Sequence, residues 1–134
     1  MQSINWQPFE GKGGKFYNYK ISIMSSKNRS GGFGFLSGFF HQENLDGFSH
    51  VLLFYYPQEK LIGFKFTNDE KLPGAFKLTK GTGSSAVFPH SFWSAYRLQP
   101  QDWAGQYTPK SMNDQRYGKI YYIELSEKDV QSKD

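Results

Sequence analysis

Apolar and polar positions alternate along most of this chain with the period of two that marks half-buried strands. Residues 16–23 (FYNYKISI) alternate in their second half. Val51-Leu52-Leu53-Phe54-Tyr55-Tyr56 is a continuous β-prone run, followed by the turn-like Pro57-Gln58-Glu59-Lys60 and then by residues 61–66. That order reads as a hairpin with proline at the second turn position. Residues 119–125 (KIYYIEL) give a further strand. Two segments break the pattern: the apolar positions of residues 39–45 and 91–98 are spaced for short helices, the second with Pro89 near its start, where proline is tolerated. Neither is long enough to stand without tertiary packing. The closing residues 126–134 are charged and apolar-poor, and are expected to fray.

These pieces fall into two similar halves. Sliding the chain by 53 positions puts Phe35 on Phe88, Phe39 on Phe92, Phe40 on Trp93, Leu45 on Leu98 and Ile23 on Phe76. Each half then reads as strand, polar glycine-containing loop, strand, one or two helical turns, and two more strands. The first half has strands at 16–23, 33–36, 48–56 and 61–66, with the helical turn at 39–45. The second has strands at 75–79, 85–88, 102–107 and 119–125, with the helical stretch at 90–98 and a loop at 80–84. Residues 68–73 are the polar joint. The expected architecture is one domain over residues 1–134, mostly β with short helices (β-barrel-like or α+β), made of two units at about 16–66 and 75–125.

The order of elements resembles the AbrB/MazE/MraZ swapped-hairpin family. The residues that carry the resemblance in the first half are Ile21-Ser22-Ile23, the loop Ser26-Lys27-Asn28-Arg29-Ser30-Gly31-Gly32, Phe33-Gly34-Phe35, the helical 39–45 and the stretch 51–66. In the second half they are Phe76-Lys77-Leu78-Thr79, the loop Lys80-Gly81-Thr82-Gly83, Ala86-Val87-Phe88-Pro89 and the helical 91–98. The resemblance covers about residues 16–125. It implies two units interlocked into one barrel, with DNA bound through basic loops; Lys27, Arg29 and Lys80 occupy the matching places. Two departures stand out: Ser37 takes the place of a proline before the first helix, and Arg97 is the only arginine on either helical stretch.

Composition narrows the picture. The chain has 134 residues, enough for one domain that buries roughly two-thirds of its unfolded surface. Aromatics make up 19%, a folded rather than disordered composition. There is no cysteine, which excludes disulfides, thiolate metal sites and a cysteine nucleophile. The opening residues lack a basic stretch followed by an apolar one, so no signal peptide is expected. The longest apolar run, 51–56, falls far short of the ~20 residues of a membrane-spanning helix. The expectation is a cytoplasmic protein without a membrane partner.

Charge is uneven. The net +4 lies wholly in residues 1–32, where Lys12, Lys15, Lys20, Lys27 and Arg29 face Glu10 alone; the rest of the chain balances. Such a segment is the electrostatic footprint of an anionic partner, although +4 is also an ordinary solubility charge. Phe16, Tyr17 and Tyr19 lie between Lys15 and Lys20, a pattern suited to stacking on exposed bases, while rings at strand positions also serve as core or cross-strand pairs. Tyr55, Tyr56, Tyr121 and Tyr122 offer further strand-borne rings.

Other motifs add little. Residues 31–36 (GGFGFL) share four central positions with the RNA-recognition strand motif, but only about 30 residues precede them, too few for the elements that fold places upstream. The glycine-rich GKGGK at 11–15 and KGTGS at 80–84 lack the spacing of a phosphate-cradling loop. His41, His50 and His90 do not have metal-ligand spacing, the serines lack a nucleophile elbow, and the carboxylates are dispersed. Neither catalysis, a cofactor nor a metal is expected. The function read from the sequence is nucleic-acid binding without catalysis, with DNA ahead of RNA, as a small regulator. Lys12, Lys15, Lys20, Lys27, Arg29 and Lys80 would contact phosphates, and Phe16, Tyr17 and Tyr19 would stack. The alternative is a protein-interaction module, antitoxin-like or an assembly component, using an exposed aromatic surface in which Trp6, Trp93 and Trp103 are candidate anchors. Either form is compatible with a homo-oligomer, since interlocked folds often pair.

Overall fold

Strand formation follows the alternation. The computed structural model describes residues 18–26, 29–81 and 84–129, and the side chains of all of these except 26, 29 and 30. In chain order its elements are β1 (Ile21–Ser26), β2 (Arg29–Phe35), α1 (Ser37–Gln42), β3 (His50–Tyr56), β4 (Leu61–Thr67), β5 (Ala75–Lys77), β6 (Thr79–Lys80), β7 (Ser85–Val87), α2 (His90–Ala95), α3 (Pro100–Trp103), β8 (Gly105–Tyr107), β9 (Lys110–Asp114) and β10 (Gly118–Glu124). A 3₁₀ turn, Leu125–Glu127, follows. The strands form two five-stranded sheets, ordered β6-β7-β2-β1-β8 and β5-β3-β4-β10-β9, with every pairing antiparallel. The chain is mostly β with short helices.

The two sheets share their margins. β5 passes through Leu78 into β6, and β8 passes through residues 108–109 into β9, so each margin of one sheet continues into the other and the strands close into a barrel-like ring. The pairings also exchange between the halves of the chain: β1 pairs with β8, and β3 with β5.

The inward positions of both sheets are apolar. Ile21, Ile23, Phe33, Phe35 and Val87 from the first sheet and Val51, Ile62, Phe64, Phe66 and Ile123 from the second are buried, each contributing roughly 1.5–3 kcal/mol on burial. α1 adds Phe39 and Phe40, and α2 adds Phe92 and Trp93. The rings meet edge-on or stacked, Phe33 against Phe64 at 5.0 Å and against Trp93 at 4.8 Å, Phe35 against Phe66 at 5.0 Å. The buried Trp93 indole donates its Nε1–H to the Gly31 carbonyl at 2.8 Å. Glycine is required at position 31 because a Cβ there would overlap the Pro100 ring. Phe33 and Phe35, the aromatics of the GGFGFL motif, are therefore core residues rather than a base-stacking surface.

Both main helices end alike. After α1, Leu45 N–H donates to the Phe40 carbonyl at 2.9 Å and Asn44 N–H to that of His41 at 3.1 Å. After α2, Leu98 donates to Trp93 at 2.9 Å and Arg97 to Ser94 at 3.2 Å. Asn44 (φ 58°) and Arg97 (φ 55°) take the left-handed conformation that completes this Schellman ending.

The structure corrects several boundaries. β1 starts at Ile21, after residues 18–20 that were expected within it, and β2 reaches back to Arg29 rather than 33. Residues 102–107, expected to be a strand, are divided between α3 and β8, with Pro100 in the first turn of the helix. β9 was not foreseen. Residues 126–129, expected to fray, are held: Asp129 N–H donates to the Gln106 carbonyl at 2.8 Å, and Lys128 Nζ to that of Ala104 at 3.2 Å.

Candidate functional site

The six cations expected to contact phosphates do not form a described cluster. Lys12, Lys15 and Lys27 lie outside the described residues, as do the aromatics Phe16 and Tyr17; of Arg29 only the backbone, in β2, is described. Lys20 is engaged within the fold: its Nζ lies 2.6 Å from the Asp129 carboxylate and donates to Thr108 Oγ1 at 2.7 Å. Lys80 Nζ donates to the Asp46 carbonyl at 2.8 Å and sits 5.4 Å above the Phe40 ring. A lysine with its protons spent on internal acceptors has fewer to offer a phosphate.

Tyr19 is likewise committed. Its ring packs edge-on against Phe39 at 5.4 Å, and its hydroxyl donates to Glu43 Oε2 at 2.9 Å. Tyr121, inward on β10, donates its hydroxyl to the other oxygen, Glu43 Oε1, at 2.9 Å. Lys119 Nζ stands 3.5 Å from the same oxygen. Burial first, and the Glu43 carboxylate second, push both phenols well above the ordinary tyrosine range. Glu43 thus ties the segment before β1, the end of α1 and β10 together. Of the tryptophans, Trp6 lies outside the described residues, Trp93 is buried, and Trp103 is half-buried beneath Lys60 Nζ at 5.3 Å.

A continuous aromatic surface occurs elsewhere, on the outer face of the second sheet. The register places Val51, Phe64, Phe66, Tyr121 and Ile123 inward. Residues one position away therefore point outward. Phe54 lies opposite Gly63 on β4, and Gly63 lies opposite Tyr122 on β10; Tyr56 lies opposite Leu61, and Ile120 opposite Met112. With Tyr117, whose ring meets Phe54 at 4.9 Å, they line a groove of about 500 Å³. Tyr56 and Met112 are 48% and 49% exposed. Among the described residues, the charged ones lining the groove are Glu59 and Asp114. Asp114 is occupied locally, accepting from the Arg116 and Tyr117 backbone N–H groups at 2.8 and 2.9 Å. This face turns away from the first sheet, which carries β1 and β2. The sequence showed the rings of 54–56 and 121–122 but not which of them face out.

A second concavity, of about 550 Å³, lies where α2 meets α3 and the β1–β2 hairpin. Ser25, His90, Ser94, Arg97, Gln99 and Gln101 supply its polar lining, and none of the described lining residues is acidic. Among the described residues, no hydrogen bond or ion pair engages the Arg97 guanidinium or the His90 ring. Arg97 also holds the left-handed backbone at the end of α2, which costs an L-residue with a Cβ about 1–2 kcal/mol relative to glycine. Asn44, a residue tolerant of that conformation, occupies the corresponding position after α1. In the sequence Arg97 stands out only as a departure from a family pattern, although the repeat that puts Phe40 on Trp93 and Leu45 on Leu98 also puts Asn44 on Arg97.

The remaining histidines are locally satisfied: His41 Nδ1 is 2.9 Å from Asp46 Oδ2, and His50 Nδ1 is 2.7 Å from Ser49 Oγ. Among the described residues, no three His, Asp or Glu side chains are placed to hold a metal ion, and no helix is long and apolar enough to cross a membrane. No family model matches this chain, and no curated protein or solved structure matches it either.

Proposed function

We propose that this protein is a non-catalytic interaction module whose second sheet docks a partner protein through its outer face. The observation that supports this reading is the contiguous groove of Phe54, Tyr56, Met112, Tyr117 and Tyr122, with Tyr56 and Met112 about half exposed. Contiguous rings left uncovered on a sheet face are the kind of surface through which partners dock, and tyrosine and methionine are enriched at interfaces. Covering the exposed half of Tyr56 removes on the order of 100 Å² from water, about 2.5 kcal/mol of binding. That is the scale of an interface hot spot.

The test places a photo-crosslinking side chain at position 56 and, as a control, at Lys71, an exposed residue outside the groove. Partners trapped at 56 and absent at 71 are identified, purified and titrated against the full chain. Tyr56→Ser is expected to weaken binding by roughly 50-fold, the equivalent of about 2.4 kcal/mol. Equal trapping at both positions, or an unchanged affinity in Tyr56→Ser, removes the reading.

Nucleic-acid binding is a second reading. It is favoured by one observation: the acid-free concavity at Arg97 is lined by Ser25 and Gly31, between which Lys27 and Arg29 fall in the sequence. Titration with single- and double-stranded oligonucleotides at two salt concentrations tests it, since affinity through phosphate contacts must fall as salt rises. An affinity indifferent to salt rejects it.

A further inference from the structure

We infer that the concavity between α2, α3 and the β1–β2 hairpin is a binding site for a phosphoryl group, with Arg97 as its principal contact. This inference does not depend on the docking role of the second sheet. Three observations carry it. The first is chemical: the described polar lining offers the Arg97 guanidinium, the His90 ring, the Ser25 and Ser94 hydroxyls and two glutamine amides, with no carboxylate among them. Within this lining Gln101 Nε2 donates to Gln99 Oε1 at 3.2 Å and Trp93 Nε1 to the Gly31 carbonyl at 2.8 Å. The guanidinium, which only donates, tips the side chains facing the cavity toward donors. A tetrahedral phosphoryl group, with two terminal oxygens in a diester and three in a monoester, can use donors converging from several elements, where a planar carboxylate uses a single fork.

The second observation is the state of Arg97. This residue is exposed and has no carboxylate or hydrogen-bond partner among the described residues, so its N–H donors are open to a ligand. The third is its backbone. Arg97 sits at φ 55°, a position where glycine or asparagine serves the helix ending better. An unfavourable backbone kept under a long cationic side chain points to a task for that side chain. The phosphoryl group belongs either to a nucleic-acid backbone or to a small phosphorylated molecule, two sources with one recognition chemistry.

The experiment follows the Arg97 Nε–H and His90 Cε1–H resonances of the full chain by NMR. Inorganic phosphate is titrated at constant ionic strength, with acetate as the matched control. The expected result is a saturable shift with phosphate, and with acetate one at least about tenfold weaker. Arg97→Gly is expected to abolish the saturable response at His90 while melting at the same or a higher temperature, because glycine relieves the left-handed backbone. Arg97→Lys keeps the charge but loses the fork, and is expected to retain a weakened response. An eight-nucleotide thymidine oligonucleotide then separates the sources. Saturation at a concentration about tenfold or more below that of phosphate assigns the site to a nucleic-acid backbone, and saturation no tighter than phosphate assigns it to a small phosphorylated molecule. A shift that grows linearly without saturating, acetate equal to phosphate, or an unaltered response in Arg97→Gly each overturns the assignment.

Discussion

Replacing Glu43 by alanine tests whether this carboxylate holds three parts of the fold together. Its two oxygens accept from the Tyr19 and Tyr121 hydroxyls, each at 2.9 Å, and its side chain is 16% exposed. A hydrogen bond to a charged group contributes about 1.5–3 kcal/mol. Tyr121 is only 7% exposed, so most of its bond is at stake. Tyr19 is half-buried, and water recovers part of the loss there. Lys119, 51% exposed at 3.5 Å, adds little. Glu43→Ala is therefore expected to lower unfolding stability by about 2–4 kcal/mol, and Glu43→Gln, which keeps one acceptor oxygen, by about 1–2. Urea denaturation at neutral pH measures both. A double-mutant cycle with Tyr121→Phe should return a coupling of about 1 kcal/mol or more. A loss under 1 kcal/mol in Glu43→Ala, or strict additivity in the cycle, would refute the argument.

Three further outcomes follow from the packing. Tyr107 is buried and donates its hydroxyl to the Trp103 carbonyl at 2.6 Å, and burial pushes its pKa up to about 12. Tyr19 and Tyr121 are shifted in the same direction. An unfolded tyrosine ionises near pH 10, so this stability is complete below that pH; it falls by up to about 1.4 kcal/mol per pH unit for each tyrosine as pH rises toward the folded values. Denaturant midpoints that stay level from pH 9 to 11 contradict this. Gly31→Ala forces a methyl group into the Pro100 ring and should cost about 1–3 kcal/mol; a melting temperature equal to that of the parent chain defeats the claim. Lys20→Ala should cost no more than about 1 kcal/mol, because its ion pair with Asp129 is partly exposed, and should leave any oligonucleotide affinity unchanged. A large drop in that affinity would return Lys20 to the binding surface.

How far the fold could be read beforehand depended on what each segment does. The β3–β4 hairpin was legible almost to the residue, because an apolar run, a proline turn and a second apolar run leave little choice of register. α1 and α2 were legible from paired aromatics, Phe39-Phe40 and Phe92-Trp93, which both helices drive into the core. β9 was invisible because Lys-Ser-Met-Asn-Asp carries almost no apolar signal; it lies at the margin of its sheet, with four of its five residues exposed. Asp102 and Trp103, the second half of α3, were read as strand because four residues are too few to show a helical period. The candidate sites were harder still. Whether Lys20 is free depends on Asp129, more than a hundred positions away, and no local pattern reports that pairing. The outward set Phe54, Tyr56 and Tyr122 could be separated from the inward Tyr55 and Tyr121 only once the register was known, since a shift of one residue exchanges the faces.

The exchange of strands between the halves of the ring has a consequence for how the polypeptide can be divided. Severing the exposed, polar stretch near Glu70 would leave one piece lacking the partners of β1 and β3, and another lacking the partners of β5 and β8. Each fragment alone would present unpaired strand margins and half of a shared aromatic interior, so neither should hold its shape in isolation. Mixed in equal amounts, they should reassemble by completing one another, which makes this linkage the natural place to split the protein as a conditional reporter of proximity.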